Sequence, residues 1–187
     1  MARLYNNCTA PVMEQKICVT CGFCCDATLF LKASLSHGER GHLPEKIEEA
    51  SFTEEGKDFF LQPCLYFSGE CTIYNRQRAN ICSTYRCRLL REMEEGKIAR
   101  EDALKTVREA MDLRNAIMGE YKRISGKSAY IGFRQLLTEL GKQMKHPANS
   151  EVPGGDYEML LIRCNILEAL LIKVFLPAEE YEKYVMK

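Results

Sequence analysis

Four thiols fall within eight residues, in Cys18-Val19-Thr20-Cys21-Gly22-Phe23-Cys24-Cys25. Two-residue spacers let a tight turn present successive sulfurs to one ion, and Gly22 permits backbone conformations that other residues resist. The chemistry such a stretch serves is thiolate ligation of zinc or of an iron–sulfur cluster. Its first three cysteines match the C-x2-C-x2-C opening of bacterial ferredoxin loops, but the next cysteine of that motif would fall at Thr28, so further ligands must come from elsewhere. In extended chain, neighbouring side chains point to opposite sides, so Cys24 and Cys25 are not expected to serve one small site equivalently.

A second group supplies more donors: Pro63-Cys64, Cys71-Thr72-Ile73-Tyr74 and Cys82-Ser83-Thr84-Tyr85-Arg86-Cys87. The candidate metal ligands are therefore Cys18, Cys21, Cys24, Cys25, Cys64, Cys71, Cys82 and Cys87. They suffice for two four-thiolate sites, or for one site with redundant thiols around it. Cys8 and Cys164 are set aside, the latter as a small core residue within an apolar helix. His37 and His42 flank a glycine loop and could supply a ligand, although exposed loop histidines are common; His146 is placed at a helix end. Arg76, Arg78, Arg86, Arg88 and Arg91 form a run with no acid between them. Cations offset the negative charge of clustered thiolates and pair with Glu92, Glu94 and Glu95 on this reading; contact with nucleic acid, using Tyr74 and Tyr85 as stacking surfaces, is the weaker one.

The rest of the chain must position these thiols. Its 187 residues carry 26 Lys and Arg against 26 Asp and Glu, with a pI of 6.8, so bulk charge does not equip it to grip nucleic acid or anionic lipid. No apolar signal-type stretch lies in residues 1–16, and the longest apolar run, 159–176, is interrupted by Arg163, Asn165, Glu168 and Lys173. A soluble, cytoplasmic chain is expected, and in that reducing compartment clustered thiols bind metal or do redox chemistry more often than they form disulfides.

The pattern predicts an α+β fold: a small Cys-rich module with short strands over 17–90, after an N-terminal segment 1–16, packed on or followed by a helical half of about three helices over 91–187. Ala27, Leu29, Leu31, Ala33 and Leu35 alternate with mostly polar residues as a half-buried strand would. A loop follows to Pro44, which opens a short helix through Ala50. Short strands are predicted at 59–61 and 71–74, the latter preceded by a turn at Ser68-Gly69-Glu70. Helical spacing then appears over 97–123, with Leu104, Val107, Met111, Met118 and Tyr121 on the apolar face, the methionines as core rather than copper ligands. Ser125-Gly126-Lys127-Ser128 punctuates. A second helix over 130–144 carries Phe133, Leu136, Leu137, Leu140 and Met144, and His146-Pro147 stops it. After a loop with Pro153-Gly154-Gly155, a third helix over 156–176 starts at a capping Asp156 and ends at Pro177. It is apolar round most of its circumference, as a central core helix or a homodimer contact would be.

Cys18 to Cys25, Pro63-Cys64, Cys71-Thr72-Ile73-Tyr74 and Arg78-Ala79-Asn80-Ile81-Cys82-Ser83-Thr84-Tyr85-Arg86-Cys87 together resemble the CxxCxxCC, or YkgJ-type, cysteine cluster family. The resemblance covers roughly residues 17–90. It departs from the family pattern at Ala79, where proline is usual, and at Ser83, where arginine is usual; neither removes a ligand. It implies chelation of zinc or of iron, including a cluster such as [4Fe-4S]. Some relatives carry the label flagellin lysine N-methylase, which implies a methyltransferase as the alternative activity. The radical-SAM spacing C-x3-C-x2-C is absent, since the position after Cys21 and Cys25 is Thr28, and no G-x-G-x-x-G or H-E-x-x-H motif occurs. A zinc-ribbon-like adaptor for RNA or a protein partner is the third reading.

Overall fold

In the chain's second half, three apolar stripes become three long helices: α5 (Arg100–Ser125), α6 (Phe133–Lys145) and α7 (Gly154–Val174). The structure, a computed structural model, describes residues 12–126, 131–145 and 154–176. Cys8, Tyr130, His146, Pro147 and Pro177 lie outside the described residues, as does the side chain of Met144.

On α5 the buried stripe is Ala103, Val107, Ala110, Ile117 and Tyr121, while Leu104, Met111 and Met118, expected at its centre, are half-buried along its edge. Small Ala103 and Ala110 let a neighbouring helix approach closely, and the larger side chains seal the flank. The neighbour is α7, which buries Leu160, Cys164, Leu167 and Leu171 at helical spacing. Helix α6 adds Phe133, Leu136 and Leu140 to the same core, and ties to its neighbours through Tyr121–Glu139 and Arg134–Glu168. Gly126 ends α5 with φ of +65°, the stop expected there. Helix α7 starts two residues before Asp156, so Gly154 and Gly155 are helical rather than loop. Asp156 sits in the first turn, where a carboxylate suits the helix dipole, and pairs with Arg123 at 3.4 Å. Nor is α7 central: Met159, Ile162 and Ile166 on its other side are 50%, 52% and 56% exposed.

The first half is built from short elements: α1 (Val12–Cys21), β1 (Lys32–Ser34), α2 (Glu45–Glu49), β2 (Ser51–Glu54), β3 (Lys57–Leu61), α3 (Asn80–Thr84) and α4 (Arg88–Glu94). The strands form one antiparallel sheet ordered β1-β3-β2. Pro44 caps α2, as its position suggests, and the predicted strand at 59–61 lies within β3. Strand β2 was not anticipated. It pairs with β3 through Glu55 and Gly56, both left-handed at φ +51° and +73°, the geometry a tight hairpin requires.

Two expected strands are corrected. The alternation from Ala27 to Leu35 yields only β1, because Ala27, Thr28 and Leu29 are buried in succession against the start of α6. Arg134 N–H donates to the Ala27 carbonyl at 3.2 Å, and a Cβ on Gly132 would lie 2.4 Å from that of Ala27. The stretch 71–74 is turn, joined by a single bridge between Phe67 and Cys71 round the anticipated turn at 68–70. Thr72 N–H donates to the Tyr66 carbonyl at 2.9 Å, so the chain folds onto its own loop instead of joining the sheet.

The whole is an α+β arrangement with two cores. The larger takes residues from both halves, Ile17, Phe23, Leu29, Leu89 and Leu90 joining the three long helices. The smaller comprises Ile47, Phe60, Ile73 and Ala79 under the sheet and its loops. No helix among the described residues is long and apolar enough to cross a membrane.

Candidate metal centre

Cys18 and Cys21 occupy the last turn of α1, three residues apart and so on one face of the helix. Gly22 ends that helix with φ of +66°, its N–H donating to the Cys18 carbonyl at 3.1 Å, and the chain turns at once through Cys24 and Cys25. No larger residue fits at Gly22, because a Cβ there would come within 2.5 Å of the Phe67 ring. One glycine thus fixes the turn and lets the loop carrying Cys64 and Cys71 close over it. That loop is also tied on by Cys64 N–H, which donates to the Cys25 carbonyl at 2.7 Å.

The eight candidate thiols separate into two sets. Cys18, Cys21, Cys24 and Cys87 pack on or within the larger core. Burial pushes the thiols of Cys21 and Cys24 well up, and neighbouring sulfurs push the same way: Cys87 and Cys18 on Cys21, and Cys21, Cys25, Cys87 and Cys18 on Cys24. Cys87 caps α4, whose first turn is held by Arg88 N–H donating to the Phe175 carbonyl at 3.0 Å, at the end of α7. Phe175 in turn meets Phe23 edge-on at 5.3 Å between ring centroids. The second set is Cys25, Cys64, Cys71 and Cys82. Burial raises the Cys25 thiol, and Cys82, Cys64 and Cys71 raise it further; burial also raises Cys64, with Cys71 adding to it. Cys64 and Cys71 rest on the smaller core. Cys82, on α3, is the exposed member. Burial raises its thiol, the Cys64 sulfur adds to this, and Arg78 opposes it. Cys24 and Cys25 lie in a turn rather than in extended chain, and the two sets adjoin there. Cys164 is buried within α7, a core residue as expected.

Within each set the sulfurs are neighbours without being gathered round one point: among the described residues no three His, Cys, Asp or Glu side chains are placed to hold a single ion. The donor chemistry nevertheless fits a thiophilic metal. Every member is sulfur, and backbone N–H groups already point at three of them, from Phe23 to Cys21, from Tyr66 to Cys64, and from Leu90 and Leu89 to Cys87. Such donors stabilise thiolate charge in zinc and iron–sulfur sites. A metal ion would also reverse the balance that keeps buried thiols protonated, because its charge favours the thiolate.

The arginines divide their work. Arg78 lies over the Tyr74 ring at 4.2 Å and offsets part of the rise at Cys82; burial likewise raises Cys87, and Arg91 offsets part of that. Arg88 pairs with Glu92 at 2.7 Å and Arg86 with Glu94 at 3.3 Å, whereas Glu95 pairs with Lys97 rather than an arginine. Tyr85 is engaged edge-on with Phe30. The His42 backbone carbonyl accepts from the Gln77 side chain.

Sequence reasoning overlooked Asp26 and Arg114. Asp26 is fully buried beside Cys25; it pairs with Arg114 of α5 and accepts the Thr28 N–H at 2.9 Å. Burial raises its carboxyl and Arg114 draws it back. The pair bolts the cysteine turn to the helices. The only signal was an acid enclosed by apolar and cysteine neighbours. No protein-family model, curated protein or solved structure matches the chain.

Proposed function

We propose that this is a metal-binding protein that chelates an iron–sulfur cluster, of the [4Fe-4S] kind, or zinc through its clustered cysteines. The observation that carries the reading is the proximity of eight thiols, drawn from separate stretches of chain, in two all-sulfur sets with backbone N–H donors on three of the sulfurs. The ferredoxin-like opening at Cys18 and a supply of thiols beyond one zinc's needs favour the cluster. The resemblance to the CxxCxxCC family, carried by the same cysteines, points the same way. Thiols that must stay reduced suit the cytoplasm.

Anaerobic purification followed by metal analysis, acid-labile sulfide determination and a visible spectrum tests this. Iron with sulfide and a broad visible absorption is the expected result. Zinc without iron or sulfide would leave a zinc protein and remove the cluster. No metal, with the clustered thiols paired as disulfides, would remove both.

A further inference from the structure

We propose that the eight thiols form two unequal centres: a closed inner one on Cys18, Cys21, Cys24 and Cys87, and an exchangeable outer one on Cys25, Cys64, Cys71 and Cys82. The inference rests on the metal-binding reading and deepens it. The inner thiols lie against the core shared by α1, α5 and α7, and Cys87 is buried. Of the outer thiols, Cys64 and Cys71 rest on a small cluster of Ile47, Phe60, Ile73 and Ala79, and Cys82 is open to solvent on a one-turn helix. Ligand exchange needs an incoming donor to reach the metal while one thiolate departs, and an exposed thiolate on a short element departs most easily. A small chelator or free thiol therefore strips the outer centre through Cys82, whose sulfur then takes up a proton. The inner centre opens only when the main core does. The partition also gives Cys24 and Cys25 separate tasks on either side of one peptide bond.

The test uses the full chain purified anaerobically with its metal, challenged with excess EDTA while metal release is followed in time. Two phases of similar amplitude are expected, the first removed by Cys82→Ser and retained in Cys87→Ser. Cys71→Ser serves as a second outer variant, expected to lose the fast phase and keep the slow one. Release in a single phase from the unmodified chain, or loss of the same phase in inner and outer variants alike, would overturn the partition while leaving metal binding intact. A chain that carries no metal at all would overturn the metal reading itself.

A separate observation concerns α7. Met159, Ile162 and Ile166 form an exposed apolar stripe roughly opposite the buried Leu160, Cys164 and Leu167, and exposed Ala169 extends it. We infer that a second copy of this chain packs there, helix against antiparallel helix. In a two-fold pairing centred between Asn165 and Ile166, Ile162 of one copy meets small Ala169 of the other, and Glu158 at one end meets Lys173 at the opposite end. The stripe is thus complementary to itself in shape and in charge. Sedimentation of the full chain should give twice 21.4 kDa, and Ile162→Glu with Ile166→Glu should give the monomer with helical circular dichroism unchanged. Glu158→Lys alone should weaken the dimer, and adding Lys173→Glu should restore it. A monomeric natural chain, or a charge swap without rescue, would overturn this.

Discussion

The two sets of cysteines are chemically alike and mechanically different. The inner set is fastened to a large apolar core by Phe23, Leu89 and Leu90, by the Asp26–Arg114 pair and by the end of α7. Of the outer set, Cys64 and Cys71 pack on the small cluster under the three-stranded sheet, and their loop closes over the inner set at Gly22 and Phe67. A region with so small a core does not bury enough apolar area to offset the entropy of ordering its loops. The difference teaches that a metal held by these thiols would matter unevenly: the helical part should hold its own shape, and the sheet and its loops should depend on the bound metal.

The largest effect should come from chelation. A structural metal contributes about 10–16 kcal/mol against a whole-domain stability of ~5–15 kcal/mol, so its removal should unfold the segment from β1 to α3 and leave α5 to α7 helical. Limited proteolysis should cut between residues 30 and 82 while circular dichroism keeps most of its helical signal. Equal loss of both regions would erase the contrast.

Core substitutions sharpen it. Leu167→Ala should cost about 2–5 kcal/mol and lower the melting of the helical core, whereas Phe60→Ala, at about 3–5 kcal/mol, should abolish the order of the sheet region and leave helix melting unmoved. Calorimetry resolves the two if the regions are independent, and one merged transition shifted by both would show that they are not. Next in size is Gly22→Ala. A left-handed non-glycine residue costs about 1–3 kcal/mol, and the Phe67 ring must also move. It should loosen the outer loop from the inner turn and speed hydrogen exchange at Cys64 N–H. Unchanged exchange there would break the link between the sets.

The smallest effect is the dependence on pH. In the metal-free chain the thiols of Cys21 and Cys24, packed on the larger core, hold their protons more tightly than the unfolded thiols, whose ordinary value is 9.0. Unfolding therefore releases protons once the pH exceeds that value. Stability is full below it and declines as the pH rises toward the folded values. The urea midpoint of metal-free protein should fall between pH 8 and pH 10, and that of the metal-bound protein should fall on acidification, when protons compete for the thiolates.

Periodicity made α5, α6 and α7 legible, since each buries a stripe long enough to show its period. It misjudged the centre of the α5 stripe by one residue, because hydrophobicity favours Leu104 and Met111, while close packing on α7 selects Ala103 and Ala110. The short elements were less readable. Residues 27–29 look alternating but are buried on every side, a tertiary effect that no local pattern reports. Helix α1 was hidden because its last turn coincides with the cysteine spacing, read as a turn. The candidate ligands stood out by spacing, but their division did not. It depends on where Cys87 meets the end of α7 and where Cys64 meets Cys25, contacts between residues far apart in the chain.

X-ray absorption at the metal edge of the anaerobically purified chain tests the central claim most directly. The account predicts sulfur as the only nearest protein ligand, at about 2.3 Å if the metal is zinc, with short metal–metal scattering as well if it is an iron–sulfur cluster. Nitrogen or oxygen from the protein in that first shell, from His37 or His42 for example, would contradict it.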